Sequence, residues 1–107
     1  MTTGQQFRDM ALSFEGAAEG SHFDVTDFRV KGRIFATWRE SDGRAVLKLA
    51  PDQQGLLMET AADIFSPAAG AWGRKGWTEV ALAGADEATL RHAMTMAWRS
   101  VAPKAGR

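Results

Sequence analysis

The sequence predicts an α+β fold: a single two-layer domain whose antiparallel sheet, a β-meander plus a hairpin, carries the N- and C-terminal helices on one face. Three observations lead there. Apolar residues recur with helical spacing at both ends of the chain, the middle is rich in β-branched and aromatic residues broken by glycine turns, and no repeat, low-complexity run or long linker divides the 107 residues. One domain is expected over 1–107, with its core between about residues 5 and 103. With 45% of residues hydrophobic, the chain can build that core unaided.

The elements follow in order. Thr3 and Gln6 have the spacing of a capping box, and Phe7, Met10, Ala11 and Phe14 then fall on one helical stripe that Gly16 is placed to stop. After an acidic linker, His22–Val30 and Ile34–Glu40 read as strands joined by a Lys31-Gly32-Arg33 turn. A Ser41-Asp42-Gly43 turn leads to a third strand, Arg44–Leu49, with Ala45, Leu47 and Leu49 on one face. Pro51 opens a short second helix whose apolar side is Leu56, Leu57 and Met58, despite Gly55 within it. Ile64 and Phe65 anchor an irregular stretch to Pro67. A second hairpin is expected over Ala71–Leu82, its tip at Gly73–Gly76 and its returning strand from Trp77, with Val80 and Leu82 facing inward. Asp86 caps the last helix with Glu87 in its first turn; Leu90, Met94, Ala97, Trp98 and Val101 form its stripe and Pro103 ends it.

Composition narrows the function classes. Thirteen Lys and Arg balance thirteen Asp and Glu, which excludes a wholly basic nucleic-acid coat protein and an acidic disordered tail. The absence of cysteine removes disulfides, thiolate nucleophiles and cysteine-based metal sites. No apolar run approaches the ~18 residues of a membrane span, and the opening residues lack the order of a signal peptide, so no membrane partner and a cytoplasmic location are expected. Neutrality hides segregation: the balance is minus four over 1–28, plus four over 29–48, minus three over 49–73 and plus three over 74–107.

Two segments carry the functional signal. In Gly70-Ala71-Trp72-Gly73-Arg74-Lys75-Gly76-Trp77, glycines would let backbone amides approach a phosphate, Arg74 and Lys75 would neutralise it, and a Trp face could stack on a base. The competing reading is a tight hairpin with structural tryptophans. In the meander, Arg29, Lys31 and Arg33 alternate so as to line one side of the sheet opposite Phe28 and Val30, beside Arg39, Arg44 and Lys48; the competing reading is a charged, soluble sheet face. His22 and His92 stand far apart without metal-ligand spacing, Ser21 beside His22 lacks a nucleophile-elbow context, and no carboxylate pair is demanded by spacing. No catalytic, metal or cofactor residue is assigned.

The runs HFDVTDFRVKGRIFATW from His22, AVLKLAPDQQ from Ala45 and AWGRKGWTEV from Ala71 resemble the MmcQ/YjbR-like family, small bacterial proteins described as DNA-binding or of unknown function. The resemblance spans Phe7 to about Lys104. It implies a frataxin-like (CyaY-like) fold, also described as a double-wing DNA-binding fold, in which paired strands act as wings. The sequence departs from better-known members at Gly73–Trp77, where they often carry Asn-Lys-x-x-Trp, and at Ala97–Val101, where they often carry Ser-Tyr-x-Leu-Val. The expectation is therefore a non-enzymatic DNA-binding protein using Arg29, Lys31, Arg33, Arg74, Lys75 and Trp77. The alternative is an adaptor for a protein or small ligand on the same fold. Iron handling ranks last, because Asp9 and Glu15 alone do not make an acidic ridge.

Overall fold

The computed structural model describes residues 2–22 and 24–102. Its elements run α1 (Gly4–Leu12), β1 (Ala17–His22), β2 (Val25–Val30), β3 (Arg33–Arg39), β4 (Arg44–Lys48), α2 (Pro51–Thr60), β5 (Phe65–Pro67), α3 (Ala71–Arg74), β6 (Trp77–Val80), a 3-10 turn (Leu82–Gly84) and α4 (Glu87–Val101). The six strands form one sheet in the order β1-β2-β3-β4-β6-β5, and every neighbouring pair is antiparallel. Helices α1 and α4 cover one face, giving the expected two-layer α+β architecture.

Local chemistry explains both long helices. Thr3 Oγ1 accepts from the Gln6 amide at 3.1 Å while Gln6 Oε1 accepts from the Thr3 amide at 2.9 Å, a complete capping box. Asp86 Oδ1 accepts from the Thr89 amide at 2.7 Å, and this bond holds the Asp86 carboxyl below the ordinary carboxylate range. The stripes of the two helices meet the sheet in a core built on Phe7, Phe28, Phe35, Leu47, Leu90 and Met94, all completely buried. Each such side chain contributes about 1.5–3 kcal/mol of transfer free energy. Trp98 is half-buried and ties α4 to the end of α1: its Nε1 donates to the Glu15 carbonyl at 2.9 Å, and its ring stacks on Phe14 at 5.6 Å. Pro103, the expected stop, lies outside the described residues.

The sheet carries one irregularity that matters for what each face displays. Phe28 pairs with Ala36 but Arg29 pairs with Ile34, so Phe35 is an extra residue in β3. This bulge turns both Phe35 and Ala36 toward the helices, where both are fully buried, and sends Ile34 to the opposite face. The β2–β3 link is a two-residue turn in which Lys31 (φ 52°) and Gly32 (φ 82°) both take left-handed conformations, as a hairpin following right-twisted strands requires.

Four expectations shift. The acidic linker contains a strand: 17–22 is the edge strand β1, which its Ala, Gly and Ser content conceals and which pairing with β2 imposes. The first meander strand accordingly begins at Val25, His22 belongs to β1, and Phe23 lies outside the described residues. On α2, Leu56 is 55% exposed and the inward side is Gln54 and Leu57. The second antiparallel pair is β5–β6, so Phe65–Pro67 is its outgoing strand and Ala71–Arg74 is a helical turn within the connection. The returning strand stops at Val80, and Leu82 is buried from the 3-10 turn that follows. Strand β6 is held on both sides, by β4 and β5, so the hairpin expected over Ala71–Leu82 does not form.

Candidate nucleic-acid interface

Strand register decides what the uncovered face of the sheet displays, because residues paired across strands point the same way. The pairs Arg29–Ile34, Val25–Arg39, Thr37–Val46, Arg39–Arg44, Val46–Glu79 and Lys48–Trp77 all lie on that face. All of these but Arg29 and Lys48, together with Trp72 of α3 and Ala68 and Ala69 before it, line a shallow groove of about 430 Å³, apolar at Val25, Ile34, Val46 and Trp77. Trp72 and Trp77 meet edge to face with ring centres 6.0 Å apart, and Lys75 Nζ lies 5.6 Å from the Trp72 ring centre.

The charges on this face divide sharply. At the β3–β4 end, Arg39 pairs with Asp42 at 3.0 Å, and Arg44 pairs with Asp42 at 3.7 Å and Glu79 at 3.5 Å. The hydrogen bond from Arg39 holds the Asp42 carboxyl low, and that bond with its charge raises the Arg39 guanidinium. Arg29 pairs with Asp27 at 2.8 Å, and Asp27 is completely buried beneath it. A Cβ on Gly20 would stand 2.8 Å from Asp27 Oδ1, so the neighbouring strand leaves that carboxylate just enough room.

The opposite end is uncompensated. Among the described residues, six bases have no ion-pair partner: Arg99 in the last turn of α4, and the five bases Lys31, Arg33, Lys48, Arg74 and Lys75. Antiparallel pairing brings all five to the same end of the sheet: the β2–β3 turn, the start of β3, the end of β4 and the approach to β6. From β3 to β6 is two strand spacings, roughly 10 Å.

The expected site residues are therefore placed as follows. Lys31, Arg33, Arg74, Lys75 and Trp77 gather at one end, with Lys48 opposite Trp77. The alignment of Arg29, Lys31 and Arg33 along one side of the sheet does not hold. Lys31 leaves the strand in the left-handed turn, and Arg33 pairs with Val30, on the helical side. Ile34 and Val46 were not among the expected site residues, and Trp72 was singled out only as part of the Gly70–Trp77 segment. The alternation of Val46 with Ala45 and Leu47 puts an apolar residue on each face of β4, which is the sequence signal for a sheet apolar on both sides.

On the helical side, a cleft of about 400 Å³ between α1 and α4 includes Asp9, Ser13, Glu87 and Arg91, where Arg91 is paired with Glu87 at 3.4 Å. Among the described residues, no group of three or more His, Asp or Glu is placed to hold a metal ion, and no helix is long and apolar enough to cross a membrane.

Over residues 12–100 the sequence matches the family model described as YjbR. The chain belongs to the YjbR family. The resemblance read from the runs that begin at His22, Ala45 and Ala71 is thus confirmed. A crystal structure of the Deinococcus radiodurans protein DR2400, which carries the domain DUF419, superposes with a TM-score of 0.76 at 21% identity, covering 92% of this chain and 77% of that one. At that identity the likeness establishes that this YjbR chain shares its fold. No curated protein matches the chain.

Proposed function

We propose that this YjbR-family protein is a non-enzymatic DNA-binding module that contacts the phosphate backbone through the basic end of its sheet. The observation that carries this reading is the sorting of its bases. Arg8, Arg29, Arg39, Arg44 and Arg91 are each matched by a carboxylate, whereas Lys31, Arg33, Lys48, Arg74 and Lys75 converge on one end without one; Arg99, in the last turn of α4, is the remaining unmatched base among the described residues. Uncompensated cations at a common edge repel one another and gain by neutralising a polyanion. Net neutrality is no obstacle, because contact energy and counterion release depend on the local patch. Arg29, already answered by Asp27, adds little, and Trp77 supplies an aromatic surface beside Lys48.

Titration of the intrinsic tryptophan fluorescence with duplex and single-stranded oligonucleotides, at several salt concentrations, tests the reading. With three to five phosphates neutralised, log K for duplex should fall with log salt at a slope of about −2.7 to −4.5. Replacing Arg74 and Lys75 by alanine should flatten that slope by nearly two. Absence of low-salt binding, or binding indifferent to the double substitution, would sink the proposal.

The groove with its apolar lining favours a second reading, an adaptor for a protein or small ligand on the same fold. That reading calls for a melting-temperature shift with such a ligand and none with DNA.

A further inference from the structure

Resting on the DNA-binding reading, we propose that the uncovered sheet face selects single-stranded nucleic acid, with unpaired bases entering the groove against Trp72 while the backbone follows the basic end. Trp72 is 61% exposed, the most exposed large hydrophobic side chain among the described residues. An indole left in water is costly, and here it forms the wall of a groove whose floor is also apolar at Ile34 and Val46.

Charge complementarity fixes how a strand would lie. Inside the groove every described charge is answered: Arg44 bridges Asp42 and Glu79, and Arg39 closes on Asp42. A charge-balanced trough with an apolar floor suits nucleobases, which carry no charge and have flat π faces. Apart from Arg99 on α4, the unmatched cations among the described residues stand along one end of the strands, so phosphates crossing the sheet have one favourable line to follow, perpendicular to the strands. Bases attached to that line would project along the strands into the trough. The geometry also discriminates against duplex, whose base faces are already stacked and hidden inside the helix. From β2 to β6 the groove crosses three strand spacings, roughly 14 Å. At ~3.4 Å per stacked nucleotide this takes about four. Lys75, lying over the Trp72 ring, would set a cation beside the phosphate of a base stacked there.

The test compares three fluorescein-labelled DNAs by anisotropy at low salt: an eight-nucleotide oligothymidine, an abasic strand of the same length and charge, and the corresponding duplex. The proteins are the wild type, Trp72→Ala and Trp72→Phe, with folding checked by far-ultraviolet circular dichroism. Oligothymidine should bind most tightly, and Trp72→Ala should weaken it by roughly 5- to 150-fold, the range for loss of one stacking platform. Trp72→Phe should retain most of the affinity. The abasic strand should bind wild type and Trp72→Ala alike, and the salt slope for oligothymidine should not change with Trp72→Ala.

Equal affinity for oligothymidine and abasic strand, or a preference for duplex, overturns base stacking while leaving backbone binding intact. Failure of all three DNAs to bind overturns both. Self-association in sedimentation that Trp72→Ala abolishes, without DNA binding, assigns the face to a second copy and likewise overturns the proposal.

Discussion

Gly76 is the residue on which the position of the basic end turns. Its φ is +103°, and a Cβ there would overlap the Leu49 carbonyl oxygen. The Leu49 amide in turn donates to the Gly76 carbonyl at 3.0 Å, so two backbones pass each other at the point where β4 ends and β6 begins. This contact seats Trp77 opposite Lys48 and brings Arg74 and Lys75 alongside. Gly76→Ala therefore combines an unfavourable backbone region with a clash against a fixed carbonyl, and should cost about 3 kcal/mol or more. Gly32→Ala is the comparison: its φ is +82°, but a Cβ there meets nothing within 4 Å. That substitution should cost only about 1 kcal/mol. Urea unfolding with an unchanged m-value measures both. Equal costs would show that the close approach to Leu49 does not constrain the chain.

Helix α2 acts on the site through one buried side chain. Gln54 Nε2 donates to the carbonyls of Gly73 at 3.0 Å and Trp77 at 3.1 Å and to Thr78 Oγ1 at 3.1 Å, and the Thr78 hydroxyl donates to the Gly76 carbonyl at 2.9 Å. The α3–β6 connection, with Trp72, Arg74, Lys75 and Trp77, is thus fastened to α2 by a polar cluster that water does not reach. Gln54→Leu fills the volume but strips the carbonyls of their donor, at an expected cost of about 2 kcal/mol. It should also weaken DNA binding and change the near-ultraviolet dichroism of the tryptophans. Lost stability with unaltered binding would mean that the clamp holds the fold without positioning the site. This element also shows where sequence legibility ended. Helices α1 and α4 announce themselves because a side-chain cap precedes a clean apolar stripe. Helix α2 misleads because a glutamine occupies an inward position and a leucine an outward one, an exchange justified only by partners 19 to 24 residues away in the chain. Strand β1 was hidden for the same kind of reason, since its sequence has little strand preference and β2 supplies the pairing. The bulge at Phe35 could not be read at all from alternation, yet it decides that Ile34 joins the groove.

For the whole molecule, the net charge of zero conceals two unlike ends of the sheet, the sum being closed by carboxylates outside the ion pairs, among them Asp52, Glu59 and Asp63. At one end acids and bases are interlocked. At the other, cations lie within about a Debye length of one another, so they act as a field at low ionic strength. Such an arrangement works against the folded state and is retained at some cost to stability. A definite prediction follows for the variant in which Lys31, Arg33 and Arg74 are all replaced by alanine. These side chains are exposed and unpaired, so their removal takes away no core contact and no salt bridge. It takes away only mutual repulsion. At about 20 mM salt, where the Debye length exceeds the spacing between the charges, the melting temperature of the variant should match the wild type or exceed it by on the order of 1–2 °C. By about 0.5 M salt the difference should vanish, because screening relieves the wild type of the same repulsion. DNA binding should fall in the same variant, which separates a functional patch from a structural one: the residues would lower stability and raise affinity at once. A melting temperature several degrees below wild type at every salt concentration would place these side chains among the supports of the fold and remove the ground for reading them as a contact surface.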